Sequence, residues 1–285
     1  MKGELNSSIT RVRPVFQALL ARDKIGTQWL EQILDLAGKN KEYAALLADN
    51  PGRIDPTLLR KRNYIDPVMF DFGIKSIMLE ECFEKCLPPP EPFLRWLIKN
   101  PYRMRWPKAD LSMIELESLR LRERLFGQHG EQAQDETIAR ALRNLDESGA
   151  AGSKGKWWAF EGFTNFDFYI ETETLILVVE GKRKEDIASS TRWFKGRNQI
   201  VRNLEVTREA SGGKEYAVML ISESTIDPVT AEDFENGLPH FKPEEREELY
   251  RHYLGNFEWR DLCKATGISY QNLPVSTSEV AESLK

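Results

Sequence analysis

"FTNFDFYIETETLILVVEGKRKED", Phe163 to Asp186, carries three charged residues inside two runs that otherwise read as β-strands. The runs are rich in aromatic and β-branched residues, a composition that suits a pleated, half-buried surface. Asp167 falls in the first run, and Glu180 and Lys182 close the second. A charge inside a sheet costs roughly several kcal/mol unless an opposite charge, hydrogen bonds or a metal ion compensates it. Side chains alternate across a strand, so Val178, Glu180 and Lys182 are expected on one face. The same rule gives Phe166, Phe168 and Ile170 one face of the first run and leaves Asn165, Asp167 and Tyr169 the other. Pairing through a short turn, Glu171 to Thr174, then brings Asp167 next to Glu180.

Two carboxylates and an ammonium in one patch suit a hard divalent cation. Mg²⁺ (or Mn²⁺) takes oxygen ligands, typically one or two carboxylates with several waters and a phosphate. The Gly181 carbonyl, between Glu180 and Lys182, is a candidate further ligand. Such an ion polarises a phosphoryl oxygen and lowers the pKa of a bound water. Lys182 would orient that water or stabilise negative charge as it develops. These parts support hydrolysis of a phosphodiester. The simpler reading is a Glu180–Lys182 salt bridge at a strand edge, which leaves Asp167 without a role.

Outward from this stretch, "EQAQDETIARALRNLDESG" predicts a helix closed by Gly149. "KWWAFEGF", "TNFDFYIE" and "TLILVVEGK" predict three strands, "RWFKGRNQIVRNLEVTREA" a helix, and "EYAVMLISE" a fourth strand. The expected fold class is α/β, with an α-β-β-β-α-β core over residues 127–226. Residues 1–126 read as an α-helical N-terminal region. There "TQWLEQILDLAGKN" sets Trp29, Ile33 and Leu36 at helical spacing, and "KEYAALLADNPGRIDPTLLRKRN" reads as two short helices. "IMLEECFEKCL" reads as a helix ended by Pro88-Pro89-Pro90. Residues 227–285 read as an acidic, helical C-terminal extension whose tail frays after Leu273.

With 30% charged residues and 41% hydrophobic ones, the chain has the composition of a folded globular protein. No apolar run approaches the ~20 residues of a membrane span, so no membrane partner is expected. The start lacks a secretion signal, and three cysteines, an odd number, fit a reducing compartment; a cytoplasmic location is the expectation. A net charge of −5 argues against a generally basic nucleic-acid coat while leaving room for a local basic groove.

The pattern of Asp167 followed by Glu180-x-Lys182, carried by this element order, resembles the PD-(D/E)xK, or restriction endonuclease-like, nuclease superfamily over roughly Gly130 to Glu223. Phe166 stands where the motif has proline, a position that binds no metal. The resemblance implies an Mg²⁺-dependent endonuclease or phosphodiesterase acting on nucleic acid, DNA more often than RNA, in a restriction, defence or mobile-element setting. Asp167, Glu180 and the Gly181 carbonyl would hold the metal, and Asp167, Glu180 and Lys182 would be catalytic. It further implies a Gln or basic residue facing the substrate backbone on the next helix. Gln199 and Arg202 take that place, three apart on one face, with Lys195 and Arg197 nearby. From Arg192 to Arg208, five basic residues (Arg192, Lys195, Arg197, Arg202 and Arg208) stand with Glu205, a charge suited to phosphate; a solvated helix face reads equally well. Relatives also carry an acid on the helix before the first strand; Glu131, Asp135 and Glu136 are all candidates, the first two better placed to face the sheet. The alternative is a catalytically inactive nuclease-like module that binds nucleic acid or protein. A homodimer or a protein partner through the helical regions stays open.

Other signals are weaker. "PFLRWLIKNPYRMRWPK" interleaves Arg95, Lys99, Arg103, Arg105 and Lys108 with Phe93, Trp96, Tyr102 and Trp106, and reads first as an amphipathic helix with a core of aromatics. "GAAGSKGKW" lacks the spacing and the hydroxyl residue of a phosphate loop. Cys82 and Cys86 have no partner pair for zinc and read as buried thiols, and His129, His240 and His252 form no cluster in the sequence.

Overall fold

The computed structural model of the chain describes residues 5–23, 27–38, 60–64, 77–82, 85–106, 113–171, 175–224 and 226–283. In chain order the described elements are α1 (Arg13–Arg22), α2 (Thr27–Leu36), β1 (Arg60–Tyr64), β2 (Ile77–Cys82), β3 (Lys85–Leu87), α3 (Glu91–Lys99), α4 (Met113–Phe126) and α5 (Asp135–Ser148). There follow β4 (Thr164–Phe166), β5 (Phe168–Glu171), β6 (Leu175–Gly181), α6 (Gln199–Ser211), β7 (Glu215–Ser222), α7 (Ala231–Gly237), α8 (Pro243–Arg251), β8 (Tyr253–Glu258), α9 (Trp259–Thr266) and α10 (Thr277–Ser283).

The chain is a mixed α/β protein built on a four-stranded sheet in the order β5-β6-β7-β8. β5 and β6 are antiparallel, with Phe168 opposite Val179 and Glu171 opposite Ile176. β6 and β7 are parallel, as are β7 and β8. Parallel neighbours need a crossover that covers the sheet, and α6 supplies the first while α7 and α8 lie on the second. Every residue of β6 is buried, as the unbroken apolar run Leu175–Val179 requires of a strand covered on both faces.

The two faces build two cores. On one, Phe168, Leu177, Val179, Met219 and Ile221 meet Phe16 and Leu19 of α1, Trp29 and Ile33 of α2, and Trp259 of α9. Phe16 stacks on Phe168 with ring centroids 3.6 Å apart. On the other, Tyr169, Ile176, Val178, Val218 and Leu220 meet Ile200, Val201 and Leu204 of α6, with Phe234 and Leu249 behind. A third cluster, off the sheet, joins Phe93, Leu97, Phe126, Leu145, Phe160 and Trp193.

Several expectations change. Residues 227–285 are not a purely helical extension: Tyr253–Glu258 is an edge strand of the central sheet, and Trp259 seals its face. The run "YLGNFE" has too few apolar residues to signal a strand alone; pairing with β7 supplies the hydrogen bonds. The tail beyond Leu273 forms α10, in which Ala281 is buried. Residues 1–126 are not only helical either. α1 and α2 form one cover of the sheet, while β1 pairs with β2 and β3 with β4. "IMLEECFEKCL" therefore contributes strands, and Cys86 is exposed. The first of the two short helices expected in "KEYAALLADNPGRIDPTLLRKRN" lies outside the described residues, and the end of the second is strand β1. "KWWAFEGF" forms no strand, and its Trp157, Trp158 and Phe160 pack in the third core. The chain bends at Asp167, so Phe166 lies with Tyr169 on the α6 face rather than with Phe168. Of the aromatics expected as core in "PFLRWLIKNPYRMRWPK", Phe93 and Trp106 are buried, but the helix ends at Lys99 and Tyr102 beyond it is 63% exposed. No described helix is long and apolar enough to cross a membrane.

Gly181 ends β6 where the chain has no room for a side chain. A Cβ there would lie 2.5 Å from Val12 Cγ2 and 3.0 Å from Trp259. Gly181→Ala is expected to cost about 1–3 kcal/mol through overpacking, read as a lower denaturation midpoint with an unchanged slope.

Candidate functional site

The end of β6 delivers Glu180 into the protein and Lys182 just beyond the sheet. Period-two alternation places Glu180 on the same face as Ile176 and Val178, which pack against α6. There its carboxylate is 2% exposed and meets three donors. Lys182 Nζ lies 2.9 Å from Oε1, and Gln199 Nε2 donates to the same oxygen at 2.6 Å. Asn203 Nδ2 donates to Oε2 at 3.0 Å. Gln199 and Asn203 are four apart, one turn of α6, so both amides reach one point. The helix begins there because Asn198 caps it, its side chain accepting the Val201 N–H at 2.9 Å. The positive end of the helix dipole therefore adds to the field on Glu180.

Asp167 stands at the bend between β4 and β5, just before the Phe168–Val179 pair. Its Oδ2 accepts the Gly181 N–H at 3.1 Å. The two acids thus flank a single peptide unit, one through the backbone and one through the side chain. The Lys182 backbone is fixed as well: its N–H donates to Ile221 at 2.8 Å, and its carbonyl accepts the Trp259 indole N–H at 2.9 Å. Burial alone would lower the Lys182 pKa, but Glu180 first, then Asp167 and Glu185, hold it above the ordinary lysine value of 10.5. Lys182 is therefore a protonated donor at neutral pH and not a base.

Of the residues expected near substrate, Gln199 comes to the site and touches Glu180 itself. Arg202 is tied down beside it. Its Nη2 donates to the carbonyls of Gly162 (3.0 Å) and Phe163 (2.7 Å), and its Nε lies 3.4 Å from Glu161. Arg197 is corrected: its side chain is fully buried and offers no surface to a phosphate. It forks onto Glu161 (Nε–Oε1 2.9 Å, Nη2–Oε2 3.1 Å), pairs with Glu205 at 2.6 Å and lies 3.8 Å over the Phe93 ring. His240 completes this group, its Nε2 2.7 Å from Glu205. Lys195 is exposed and precedes the helix, as do Arg192 and Arg197, so the basic residues do not share one helical face. Glu131, Asp135 and Glu136 are all exposed, and α5 belongs to the third core rather than to the sheet. The acid that the structure does bury nearby is Glu161, in the turn before β4.

Sequence reasoning missed Asn203, Glu161, Glu205 and His240. Asn203 stood one turn after Gln199 and was findable by that spacing. The other three gather around Arg197, His240 through Glu205, over sequence separations that carry no periodic signal.

Among the described residues no group of three or more His, Cys, Asp or Glu side chains comes together to hold a metal ion. A dication at this site would take Asp167 and Glu180 and complete its shell with carbonyls, waters and substrate oxygens, the habit of Mg²⁺ or Mn²⁺ rather than of zinc. Asn203 Oδ1, buried and without a hydrogen-bond partner, is a further oxygen suited to a metal-bound water. The donor set fits a hydrated Mg²⁺. Compared with known proteins, the chain matches no family model, no curated protein and no solved structure.

Two tests follow from the charges. Lys182→Met leaves Glu180 buried without its counter-ion and is expected to cost roughly 3–5 kcal/mol. Glu180→Gln in the same chain should restore much of that loss, giving a coupling of about 1 kcal/mol or more in a double-mutant cycle of chemical melts. Burial alone would raise the pKa of Glu205 and of Glu171. Arg197 and His240 outweigh it for Glu205, and Lys214 and Lys85 for Glu171, leaving both below 4.5. Their stabilisation is complete above pH 4.5 and is lost as pH falls through the lower folded values. The melting temperature should therefore drop steeply below about pH 4.5, and Lys85→Met with Lys214→Met should soften that drop.

Proposed function

We propose that this chain is a metal-dependent nuclease that hydrolyses phosphodiester bonds in nucleic acid, with DNA the first candidate. The observation that carries the reading is the juxtaposition around Gly181. Asp167 holds the N–H of that residue, Glu180 precedes it, and the Lys182 ammonium after it lies on Glu180. Two buried or half-buried acids and a protonated lysine at the carboxyl end of a central strand are more than a surface salt bridge requires. That simpler pair would not need Asp167, nor two amides from α6.

Mg²⁺ held by Asp167 and Glu180, with the Gly181 carbonyl beside them, would supply Lewis-acid polarisation of the phosphate and a water of lowered pKa. Lys182, protonated, stabilises negative charge growing on the phosphoryl oxygens. Gln199 and Asn203 keep the Glu180 carboxylate in one orientation, and the Trp259 and Ile221 contacts keep Lys182 in place. The restriction-like resemblance rests on Asp167, Glu180 and Lys182, and the β5-β6-α6-β7 order is consistent with it.

One observation favours the rival, a nuclease-like module that binds without cutting. Three donors already sit on the two oxygens of Glu180, so a cation competes with them for that carboxylate. Thermal melting separates the two. A catalytic site is stabilised by Mn²⁺ or Mg²⁺ in proportion to the logarithm of concentration, and Asp167→Ala abolishes the shift; an unshifted native protein favours the rival. With labelled single- and double-stranded DNA and RNA plus Mg²⁺, cleavage by the native chain should fall about 10²-fold or more in Lys182→Ala. Equal rates in the two proteins would remove Lys182 from the chemistry.

A further inference from the structure

Beside the carboxylate–lysine site lies a cleft of about 530 Å³. Arg122 of α4, Lys154 and Lys156 in the turn after α5, Arg192, and Arg202 of α6 line it, with Glu161 the one acid. Five cations face one carboxylate, in a chain whose net charge is −5. Such a concentration of one sign attracts an anion. Burial pushes the Arg122 guanidinium down to about 10, and the like charge of Arg192 adds to the effect.

The walls are built rather than adventitious. Arg122 is 8% exposed and is held by the carbonyls of Lys156 (2.9 Å) and Ala159 (3.2 Å). It lies over the rings of Trp193 (5.1 Å) and Phe160 (5.6 Å). Two buried groups in the wall, Arg122 Nε and the Ser153 hydroxyl, have no hydrogen-bond partner among the described residues. Ser153 is 1% exposed. Unpaired buried donors cost about 1–3 kcal/mol each, and an acceptor-rich ligand relieves that cost. Arg202 links the cleft to the site, since it borders the cleft and feels the charge of both Glu161 and Glu180.

We propose that this cleft binds the phosphate backbone of a single-stranded nucleic acid and feeds that strand to the neighbouring acids. The assignment rests on the nuclease reading only for the word "feeds"; the binding stands without catalysis. A single strand is favoured over a duplex by size and depth. The volume lies in the small-ligand range, and a cube of that volume has an edge of about 8 Å. A duplex, whose major groove alone is about 12 Å wide, cannot enter. It could touch Lys154 and Lys156 at the rim but not the recessed Arg122. A strand free of its complement can turn one phosphate inward, as charged grooves for single strands require.

The test is fluorescence anisotropy with a short labelled single strand in EDTA at low salt, so that no chemistry is needed. Arms with and without a 5′-terminal phosphate and a duplex of the same sequence complete it. The native chain should bind the single strand more tightly than the duplex. Lys154→Ala with Lys156→Ala, both exposed in a turn, should weaken it roughly tenfold and flatten the salt dependence by about two counter-ions. A loss shared by both single strands marks an internal phosphate as the ligand, and a loss confined to the phosphorylated one marks the terminal phosphate. Either supports the assignment. No binding by the native chain, equal affinity for the duplex, or an unaltered double variant overturns it. The nuclease reading fails separately. Binding through the cleft without Mg²⁺-dependent cleavage would sink the enzyme and keep the cleft, while cleavage of single strands unchanged in the double variant would sink the cleft and keep the enzyme.

Discussion

The structure depends on how a carboxylate is kept inside a sheet. Glu180 is the penultimate residue of β6, a strand buried at every position, and is itself 2% exposed. A lone carboxylate there would simply protonate or unfold its surroundings, because its desolvation amounts to several kcal/mol, roughly. Three things offset it: the Lys182 ammonium, the two amides of Gln199 and Asn203, and the N-terminal end of α6. Each constrains the fold. Lys182 meets Glu180 from two residues further on, and the Gly181 between them sits where Val12 and Trp259 leave no room for a side chain. The amides converge only if α6 starts at its Asn198 cap. The strand, the helix start and the C-terminal tryptophan are therefore parts of one electrostatic solution.

A second buried charge holds the pieces around that site. Arg197 gathers Glu161 from the turn before β4, Glu205 from α6 and, through Glu205, His240 from the segment after α7. It also stacks on Phe93 of α3. These contacts connect the off-sheet aromatic cluster to the helix that supports Glu180. Hydrophobic packing alone would let that cluster slide; a forked guanidinium between two carboxylates fixes distance and angle. The arginine expected to meet a phosphate is instead a buried link between Glu161, Glu205 and Phe93.

Much of this was legible. The continuous apolar run Leu175–Val179, the helix containing Gln199 and Arg202, and the strand Glu215–Ser222 follow from periodicity, because local pattern and tertiary role agree there. The pairing of Glu180 with Lys182, two residues on, followed from alternation. The first run was legible only in part, since a bend at Asp167 breaks the alternation and sends Phe166 to the face of Tyr169. Arg197 was misread because charge in a sequence is counted as surface, and nothing local says which arginine is surrounded by acids from distant segments.

The sequence by itself determined the class of fold, the strand that carries Glu180 and the set of charged residues at its end. These are set by hydrophobic period and by the two-residue alternation of a strand, which act within a few residues of one another. Only the tertiary structure decided which helices cover the sheet, that Tyr253–Glu258 joins it, that Asn203 shares Glu180 with Gln199, and that five cations from four segments line one cleft. Those outcomes are contacts between residues far apart in the chain. They are fixed by which buried polar groups can be satisfied together, a condition on the whole folded molecule and not on any stretch of it.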